Sequence, residues 1–535
     1  MKLFTLRGGV HPEGRKALSA DMPIRSVPLP ARLFVPLQQH IGAPATPVVS
    51  VGDHVLKGQL IASAQGAVSS AIHAPTSGRV VALGDYIAPH ASGLPVPTIT
   101  LDSDGENRWV ATQTLDDPFE LSMEEIAARV GAAGIVGLGG ATFPAALKLN
   151  LSRNSGVKTL IINGGECEPY LTCDDRLMRE RAVQIVEGIR LIAYAVAAKE
   201  VLVGIEDNKP EAIKAMQEAV RGSEVRVVVM PSMYPMGSEK QIIQVLTGNE
   251  IPAGGRPADI GMLVHNVATA YAVQQAIRYG RPLLSRIVTV SGGAISKPCN
   301  LEVLVGTPVQ ELIEFAGGYA LPVARLVLGG PMMGQQISHA RVPVVKGTSG
   351  VLALTAAETG QTLPSPCIRC STCVRACPVG LLPLEMAAHI RATDLSAAVA
   401  LGLKDCIACG SCSYVCPAHI PLVHYFNFAK GELMEQERGK LKLAATKKLA
   451  DERLERIQRI ERERQEAAAK RKAAREARER NKAAAVDELS CLVRSLPLSD
   501  PLPLTGEEAI EALRGSQVNE LAAKQAATQT ITEAA

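Results

Sequence analysis

The chain has 535 residues, 47% of them hydrophobic and 20% charged, with a formal net charge of +3. Those proportions belong to folded globular protein and exclude a disordered or collagen-like chain; the length calls for about three to five domains. Aromatic residues are only 3%, with a single Trp109, which argues against an aromatic platform for nucleic acid or sugar.

The N-terminus, Met1-Lys2-Leu3-Phe4 followed by Arg7, Gly8, Gly9, His11 and Pro12, lacks the apolar core of a signal peptide. Residues 1–105 are rich in Val, Gly and Pro in short alternating runs, which predicts a small β module. Val51-Gly52-Asp53-His54-Val55-Leu56-Lys57-Gly58 and Ile72-His73-Ala74-Pro75-Thr76-Ser77-Gly78 resemble the β-sandwich of lipoyl and biotinyl carriers. Those carriers bear their cofactor on a hairpin Lys; the matching interval, Ser63 to Ala71, has none, so the module is expected to lack a prosthetic arm. His54 and His73 stand alone and read as surface or packing residues, since metal ligands come in clusters.

Residues 106–285 read as α/β. Ala132 to Leu138 is an apolar run expected to be a strand leading into Gly137-Leu138-Gly139-Gly140-Ala141. Val157–Gly165, Glu200–Ile205 and Glu224–Met230 read as strands and Arg176–Ala197 as one amphipathic helix. This alternation predicts a mostly parallel sheet with its ligand at the carboxyl ends of the strands. The most apolar stretch, Leu191 to Ile205, is interrupted by Lys199 and Glu200, so no membrane-spanning helix is expected. A soluble, intracellular protein with at most a peripheral membrane link follows. Residues 286–345, with Arg286–Gly293, Asn300–Val305, a short helix at Val309–Ala316 and Arg325–Gly330, suggest a β-grasp module. It resembles the soluble ligand-binding type that accompanies flavin domains in respiratory enzymes.

Within residues 346–430, Cys367-Ile368-Arg369-Cys370-Ser371-Thr372-Cys373-Val374-Arg375-Ala376-Cys377-Pro378 is repeated as Cys406-Ile407-Ala408-Cys409-Gly410-Ser411-Cys412-Ser413-Tyr414-Val415-Cys416-Pro417. Each copy reads C-x2-C-x2-C-x3-C-P, the ligand run of a two-cluster [4Fe–4S] ferredoxin. In such proteins the fourth Cys of each run ligates the other cluster. The resemblance assigns Cys367, Cys370, Cys373 and Cys416 to one cluster, and Cys406, Cys409, Cys412 and Cys377 to the other. Zinc has no use for a third evenly spaced Cys, and disulfides belong to exported chains. The remaining Cys167, Cys173, Cys299 and Cys491 show no pairing pattern. The interval between the motifs, Leu384 to Leu401 above all, is helical in pattern, which suggests an α-helical variant.

Residues 431–495 form a charged helical arm. Arg438 to Lys482 holds 17 Lys and Arg against 8 Asp and Glu, a net +9 that leaves −6 for the rest of the chain. Its apolar positions are too sparse for a coiled-coil seam. Two readings stand: a solvated, salt-bridged helix, or a docking arm toward anionic lipid or acidic partner subunits. Residues 496–535 are expected to be a disordered tail.

The glycine turn at Gly137, Gly139 and Gly140 offers bare backbone amides to a phosphate, a weak signal by itself. It is joined by Phe143, Lys148, Asn163-Gly164-Gly165-Glu166-Cys167-Glu168-Pro169-Tyr170, Tyr234-Pro235-Met236-Gly237 with Glu239, and Asn266-Val267-Ala268-Thr269. Together these resemble the NADH-oxidising flavin subunit of respiratory complex I. With the carrier-like start, β-grasp, dicluster unit and basic arm, the chain resembles the C component of the Rnf/Rsx ion-translocating electron-transport complex over residues 1–480. Glu166–Thr172, Gly204–Pro210 and Tyr234–Gly237 are specific to that family.

The resemblance implies a multidomain α/β and α+β protein: an N-terminal β barrel-sandwich module, a flavin-subunit-like α/β domain, a β-grasp, an α-helical dicluster ferredoxin and a long charged helix. It implies FMN, with Gly137, Gly139, Gly140 and Lys148 on the phosphate and Asn163, Glu166, Asn266 and Thr269 on flavin or ribityl. Tyr234, Gly237 and Glu239 would lie near the isoalloxazine and nicotinamide, Phe143 on adenine and Glu168 on the nucleotide ribose. Thr142, Ser238 and His265 depart from the flavin-subunit pattern. The implied role is an NADH-linked iron–sulfur oxidoreductase subunit, peripheral on the cytoplasmic side of the bacterial inner membrane. Its expected partners are membrane and iron–sulfur subunits, not nucleic acid. No acid–base or nucleophilic residue is required, because cofactors carry the chemistry. A flavin-free adaptor of the same complex and a soluble NAD-linked dehydrogenase module are the rival readings.

Overall fold

The computed structural model describes residues 3–360 and 363–495, so the expected tail at 496–535 lies outside the described residues. The chain divides into two compact units, Met1–Gln436 and Glu437–Ala535.

In the first unit, strands Arg32–Pro36, Pro95–Ser103, Gly78–Ile87 and His54–Val55 form a four-stranded sheet. It faces a three-stranded sheet of Thr46–Pro47, Leu60–Ser63 and Ile72–His73. Their inward residues, Val35, Val55, Ile61, Ile72, Val80, Ile99 and Leu101, close one apolar core. The segment before Arg32 lies outside this sandwich. Arg25–Ser26 pairs with Cys299–Leu304 in a different sheet, and the Lys16 ammonium donates to the carbonyls of Glu166, Glu168 and Leu171 at 2.8, 2.9 and 2.6 Å.

The second sheet is parallel throughout, in the order Val225–Met230, Glu200–Glu206, Thr159–Gly164, Met262–Asn266. Its strands read as continuous buried runs because apolar clusters cover both faces. One face carries Leu160, Ile162, Ile185, Ile189 and Val267; the other carries Ile161, Leu202, Ile242, Leu246 and Val264. The helices Ala182–Ala195 and Val267–Tyr279 pack closely at Gly188, where a Cβ would fall 1.9 Å from the carbonyl of Ala270.

Two local expectations change. The helix expected over Arg176–Ala197 is two helices, Cys173–Glu180 and Ala182–Ala195, broken where Arg181 leaves helical geometry at φ −130°. The strand expected before the glycine turn is absent. Helix Met123–Ala132 ends, Gly134 reverses the chain at φ 65°, and Val136 makes a single bridge to Pro144 before helix Ala145–Asn154. The run Ile135-Val136 is buried, but the Gly137 amide donating to the Phe143 carbonyl at 2.8 Å closes a loop instead of extending a ladder.

The third sheet has six strands in the order Arg25–Ser26, Cys299–Leu304, Ser285–Ser291, Gly350–Leu354, Arg325–Leu328, Gln335–Ile337. Gly350–Leu354, expected beyond the β-grasp, lies inside this sheet, and an N-terminal strand forms one edge. Contacts distant in sequence therefore stitch three modules together. The dicluster segment packs short helices, Thr372–Ala376, Pro383–Arg391, Leu395–Ala400 and Ser411–Tyr414, around Met386, Ile390, Ala398, Leu403, Leu422 and Phe426.

From Leu422 one helix runs to Arg494. In the second unit its described side chains are exposed, including Leu441, Leu449 and Ile457, and Lys448–Glu452 and Arg475–Glu479 pair at i,i+4. Among the described residues no helix is long and apolar enough to cross a membrane.

Candidate functional site

The two cysteine motifs fold as copies of one backbone shape. Arg369 and Ser371 in the first, and Ala408 and Gly410 in the second, occupy the left-handed region at the same two steps. Gly380 and His419 repeat this three residues after the fourth Cys. Such φ values cost a side-chained residue about 1–3 kcal/mol, so a close requirement of the loop must hold them. The effect is to turn amides onto sulfur: Arg369 donates to Cys367 at 3.3 Å, Ala408 to Cys406 at 3.4 Å and Leu381 to Cys377 at 3.4 Å.

Each loop wraps a cavity. Cys367, Cys370, Cys373 and Cys416 line one, with Ile368, Leu384 and Ile420. Cys377, Cys406, Cys409 and Cys412 line the other, with Leu381, Met386 and Phe426. The fourth Cys of each motif thus faces the cavity of the other. Among the described residues no three His, Cys, Asp or Glu side chains converge on a single-ion site. Four thiols spread around a cavity and supplied with amide donors suit a cubane, whose ligands stand at separate corners.

The second cavity is joined to the carboxyl ends of the parallel strands. The buried Tyr234 hydroxyl donates to the Cys409 carbonyl at 2.6 Å, and Val10, Tyr234, Ala376 and Cys409 form one apolar cluster flanked by Cys167. Across those strand ends lie most of the flavin candidates. Asn163 donates to the Gly237 carbonyl at 2.7 Å and accepts from Gly165 at 2.9 Å; a Cβ on Gly237 would stand 2.3 Å from the Gly165 carbonyl. Asn266 caps helix Val267–Tyr279 by accepting from Ala268 at 2.8 Å, and a Cβ on Gly139 would sit 2.9 Å from its own Cβ. The Thr269 hydroxyl accepts from the Leu138 amide at 3.0 Å and so pins the glycine turn, while Gly140, at φ 152°, faces open space. Lys148 donates to Glu239 at 2.7 Å and to the Val264 carbonyl at 2.6 Å. Phe143 is half-buried in the same turn.

Glu166 and Glu168 already have protein partners. The Glu166 carboxylate accepts from the amides of Asp174 and Asp175 at 2.9 and 3.4 Å, at the start of helix Cys173–Glu180. Glu168 accepts from Met332 and Met333 at 2.9 and 2.8 Å, tying the loop 329–334 to the strand ends; burial raises its pKa.

Asp174, Glu206 and Lys209 at this locus were not assigned a site role from sequence. Asn266 donates to Asp174 at 2.7 Å, and burial followed by the Glu166 charge pushes the Asp174 carboxyl up to about 6. Lys209 and Glu206 form a fully buried pair whose attraction, with that of Glu166, outweighs desolvation and keeps the Lys209 pKa raised. The family-specific run Gly204–Pro210 was the available signal for them. Cys167 accepts from the Gly237 amide at 3.3 Å, and burial pushes its thiol up to about 12. His265 is held neutral by burial and by Lys148, its Nε2 without a partner among the described residues. An orphaned ring nitrogen, a cradle of glycines and a pinned turn fit a polar cofactor such as FMN. None of the candidate residues lines the largest cavity described.

Four family models match in chain order: the RnfC Barrel sandwich hybrid domain over 4–106, the Nuo51 FMN-binding domain over 130–275, the SLBB domain over 287–336 and a 4Fe-4S dicluster domain over 366–420. A relative from Rhodobacter capsulatus, the C subunit of an ion-translocating oxidoreductase complex, is 55% identical over 442 residues, 82% of this chain and 85% of that one. One of the same name from Pseudomonas aeruginosa is 45% identical, covering 85% of this chain and 59% of that one. The C subunit of a proton-translocating ferredoxin:NAD(+) oxidoreductase complex of Clostridium ljungdahlii is 46% identical over 71% of this chain and 83% of that one.

Proposed function

The chain belongs to the C-subunit family of ion-translocating oxidoreductase complexes, and from that membership we propose how its residues divide the work of moving electrons. It is an electron-transfer subunit of such a multi-subunit complex, an oxidoreductase whose cofactors are FMN and two [4Fe–4S] clusters. Bound in this chain, FMN would supply the chemistry that matches a two-electron donor such as NADH to one-electron clusters.

The glycine turn at Gly137, Gly139 and Gly140, pinned by Thr269, would present amides to the FMN phosphate beside Lys148. Asn163, Asn266 and His265 would face the flavin and ribityl, with Gly165 and Gly237 letting the two loops beside them pack backbone to backbone. Phe143 would flank the nucleotide. Glu166 and Glu168 act here as positioning residues: one caps a helix, the other ties down the loop 329–334. Glu239 holds the Lys148 ammonium. Cys377, Cys406, Cys409 and Cys412 would hold the inner cluster, one hydrogen bond from Tyr234. Cys367, Cys370, Cys373 and Cys416 would hold the outer cluster, whose exposed rim would meet an iron–sulfur partner subunit.

Membrane subunits separate from this chain would couple the flow to ion transport. The basic helix would dock this peripheral subunit on the cytoplasmic side, against neighbouring subunits or anionic lipid.

The carrying observation is the crossed placement of eight thiols around two cavities, with the inner one bonded to the strand ends through Tyr234. Anaerobic NADH titration of the purified chain tests it. We expect FMN on denaturation, about eight irons per chain, and paramagnetic signals of two reduced clusters. About four irons or fewer after full reconstitution would end the dicluster reading, and protein without flavin would end the NADH-entry reading.

A further inference from the structure

The largest cavity described, a cleft of about 780 Å³, opens where the sandwich, the parallel-sheet domain and the β-grasp sheet meet. That volume lies in the range of small-molecule sites, which favour such domain junctions. It is separate from the flavin locus, which it touches only behind the turn at Leu138 and Ala268.

Cationic and aromatic side chains stand in its walls among leucines and one carboxylate, Glu302. Trp109, 38% exposed, packs on Gly58, and Lys57 and Arg281 stand over its ring at 4.9 and 5.6 Å. Arg281 also stacks on Tyr279, and Arg181 on Tyr271. Arg286 lies at the base, 4% exposed, donating only to the carbonyls of Thr348 and Leu138. Of these cations Arg181 alone has a carboxylate, Glu302 at 3.5 Å. Lys57, Arg281 and Arg286 have no ion-pair partner among the described residues.

Burying the Arg286 guanidinium without an ion pair is costly, although the Asp174 carboxylate attracts it from a distance. Half-buried Lys57, attracted in the same way by Glu302, and exposed Arg281 face the same cleft, so the excess of positive charge favours an anion there. We propose that this cleft binds a small phosphate-bearing anion of nucleotide size, held by Lys57, Arg281 and Arg286. Because Arg286 grips the Leu138 carbonyl, an anion there would also be felt at the back of the glycine turn.

Trp109 is the single tryptophan of the chain, so its emission reports this cleft directly. The flavin-loaded full chain is titrated with ADP and, separately, with inorganic pyrophosphate at constant ionic strength. The expected result is a saturable change in emission with a dissociation constant of about 1 mM or lower. Arg281→Gln and Lys57→Gln should each weaken binding about tenfold, the loss of one charge-assisted contact, while NADH-driven flavin bleaching stays unchanged. A response to both ligands assigns the phosphates as sufficient; a response to ADP alone adds the nucleoside. No saturable change with either ligand, equal affinity in the variants, or a change reproduced by potassium chloride overturns the proposal.

Discussion

The two cysteine motifs share spacing and backbone shape but sit in opposite surroundings. Cys409 and Cys412 are buried, and burial pushes the Cys412 thiol up to about 12. The segment around Gly8 and Gly9 straps the end of the first motif, whose Cys377 lines the same cavity: Gly9 donates to the Ala376 carbonyl at 3.0 Å, and a Cβ on Gly8 would meet the Cys377 carbonyl at 2.6 Å. Cys367 and Cys370 are exposed, Ile368 and Leu363 are 69% and 88% exposed, and the Thr372 hydroxyl lowers the Cys370 pKa. Cluster potentials respond to burial and to hydrogen bonds on sulfur. One cysteine pattern thus stands once in a protected setting beside the strand ends and once in an exposed one, which under the proposed function would be an inner and an outer station.

Breaking one station at a time should have the largest effect. Cys409→Ser and Cys370→Ser should each cut iron from about eight toward four per chain. Only the inner variant should prevent NADH from reducing the cluster that remains, as read by paramagnetic resonance. Equal behaviour of the two variants would erase the inner–outer distinction.

The inner side can next be disturbed without touching a ligand. Gly237→Ala drives a methyl to 2.3 Å from the Gly165 carbonyl. Overpacking of this kind costs about 1–3 kcal/mol. Fluorimetry of denatured protein should find FMN largely lost while iron content holds.

A subtler probe uses pH. The folded Asp174 pKa, about 6, lies above its ordinary 3.8, so its contribution to stability is present below pH 3.8 and is lost as pH rises toward 6. Asp174→Asn removes that loss and keeps an acceptor for Asn266. Denaturant melts should show the variant gaining on the order of 1–3 kcal/mol over wild type between pH 4 and pH 6. A constant difference across that window would show that the carboxyl does not titrate there.

The smallest structural effect should come from the outer rim. Ile368→Gln should leave stability within about 0.5 kcal/mol and iron unchanged, as for other exposed sites. Electron delivery from the reduced subunit to the rest of its complex should nevertheless slow in stopped-flow measurements. An unchanged rate would move the exit elsewhere.

Much of this was legible in the residues. The C-x2-C-x2-C-x3-C-P spacing carries its own geometry, because short loops leave a thiolate few places to point. The strands Thr159–Gly164 and Glu200–Glu206 were readable because continuous burial keeps their middles, 160–162 and 201–205, free of polar side chains. The strand expected at Ala132–Leu138 failed because apolar residues are buried in a loop as readily as in a strand, and Gly134 decides which. Module limits at 105 and 345 could not be read locally, since Arg25–Ser26 and Gly350–Leu354 join a sheet whose other strands are distant in sequence. Nor could sequence alone tell that Glu168 would grip two amides of another module, or that Lys57, Arg181, Arg281 and Arg286 would meet in one cleft. By itself the sequence determined how the cysteine loops turn and which thiols they carry to each cavity, because those depend on covalent spacing. Which motif is buried, which carboxylate is already engaged and where unpaired charge collects were decided only by tertiary structure, because desolvation and Coulomb forces depend on distance through space.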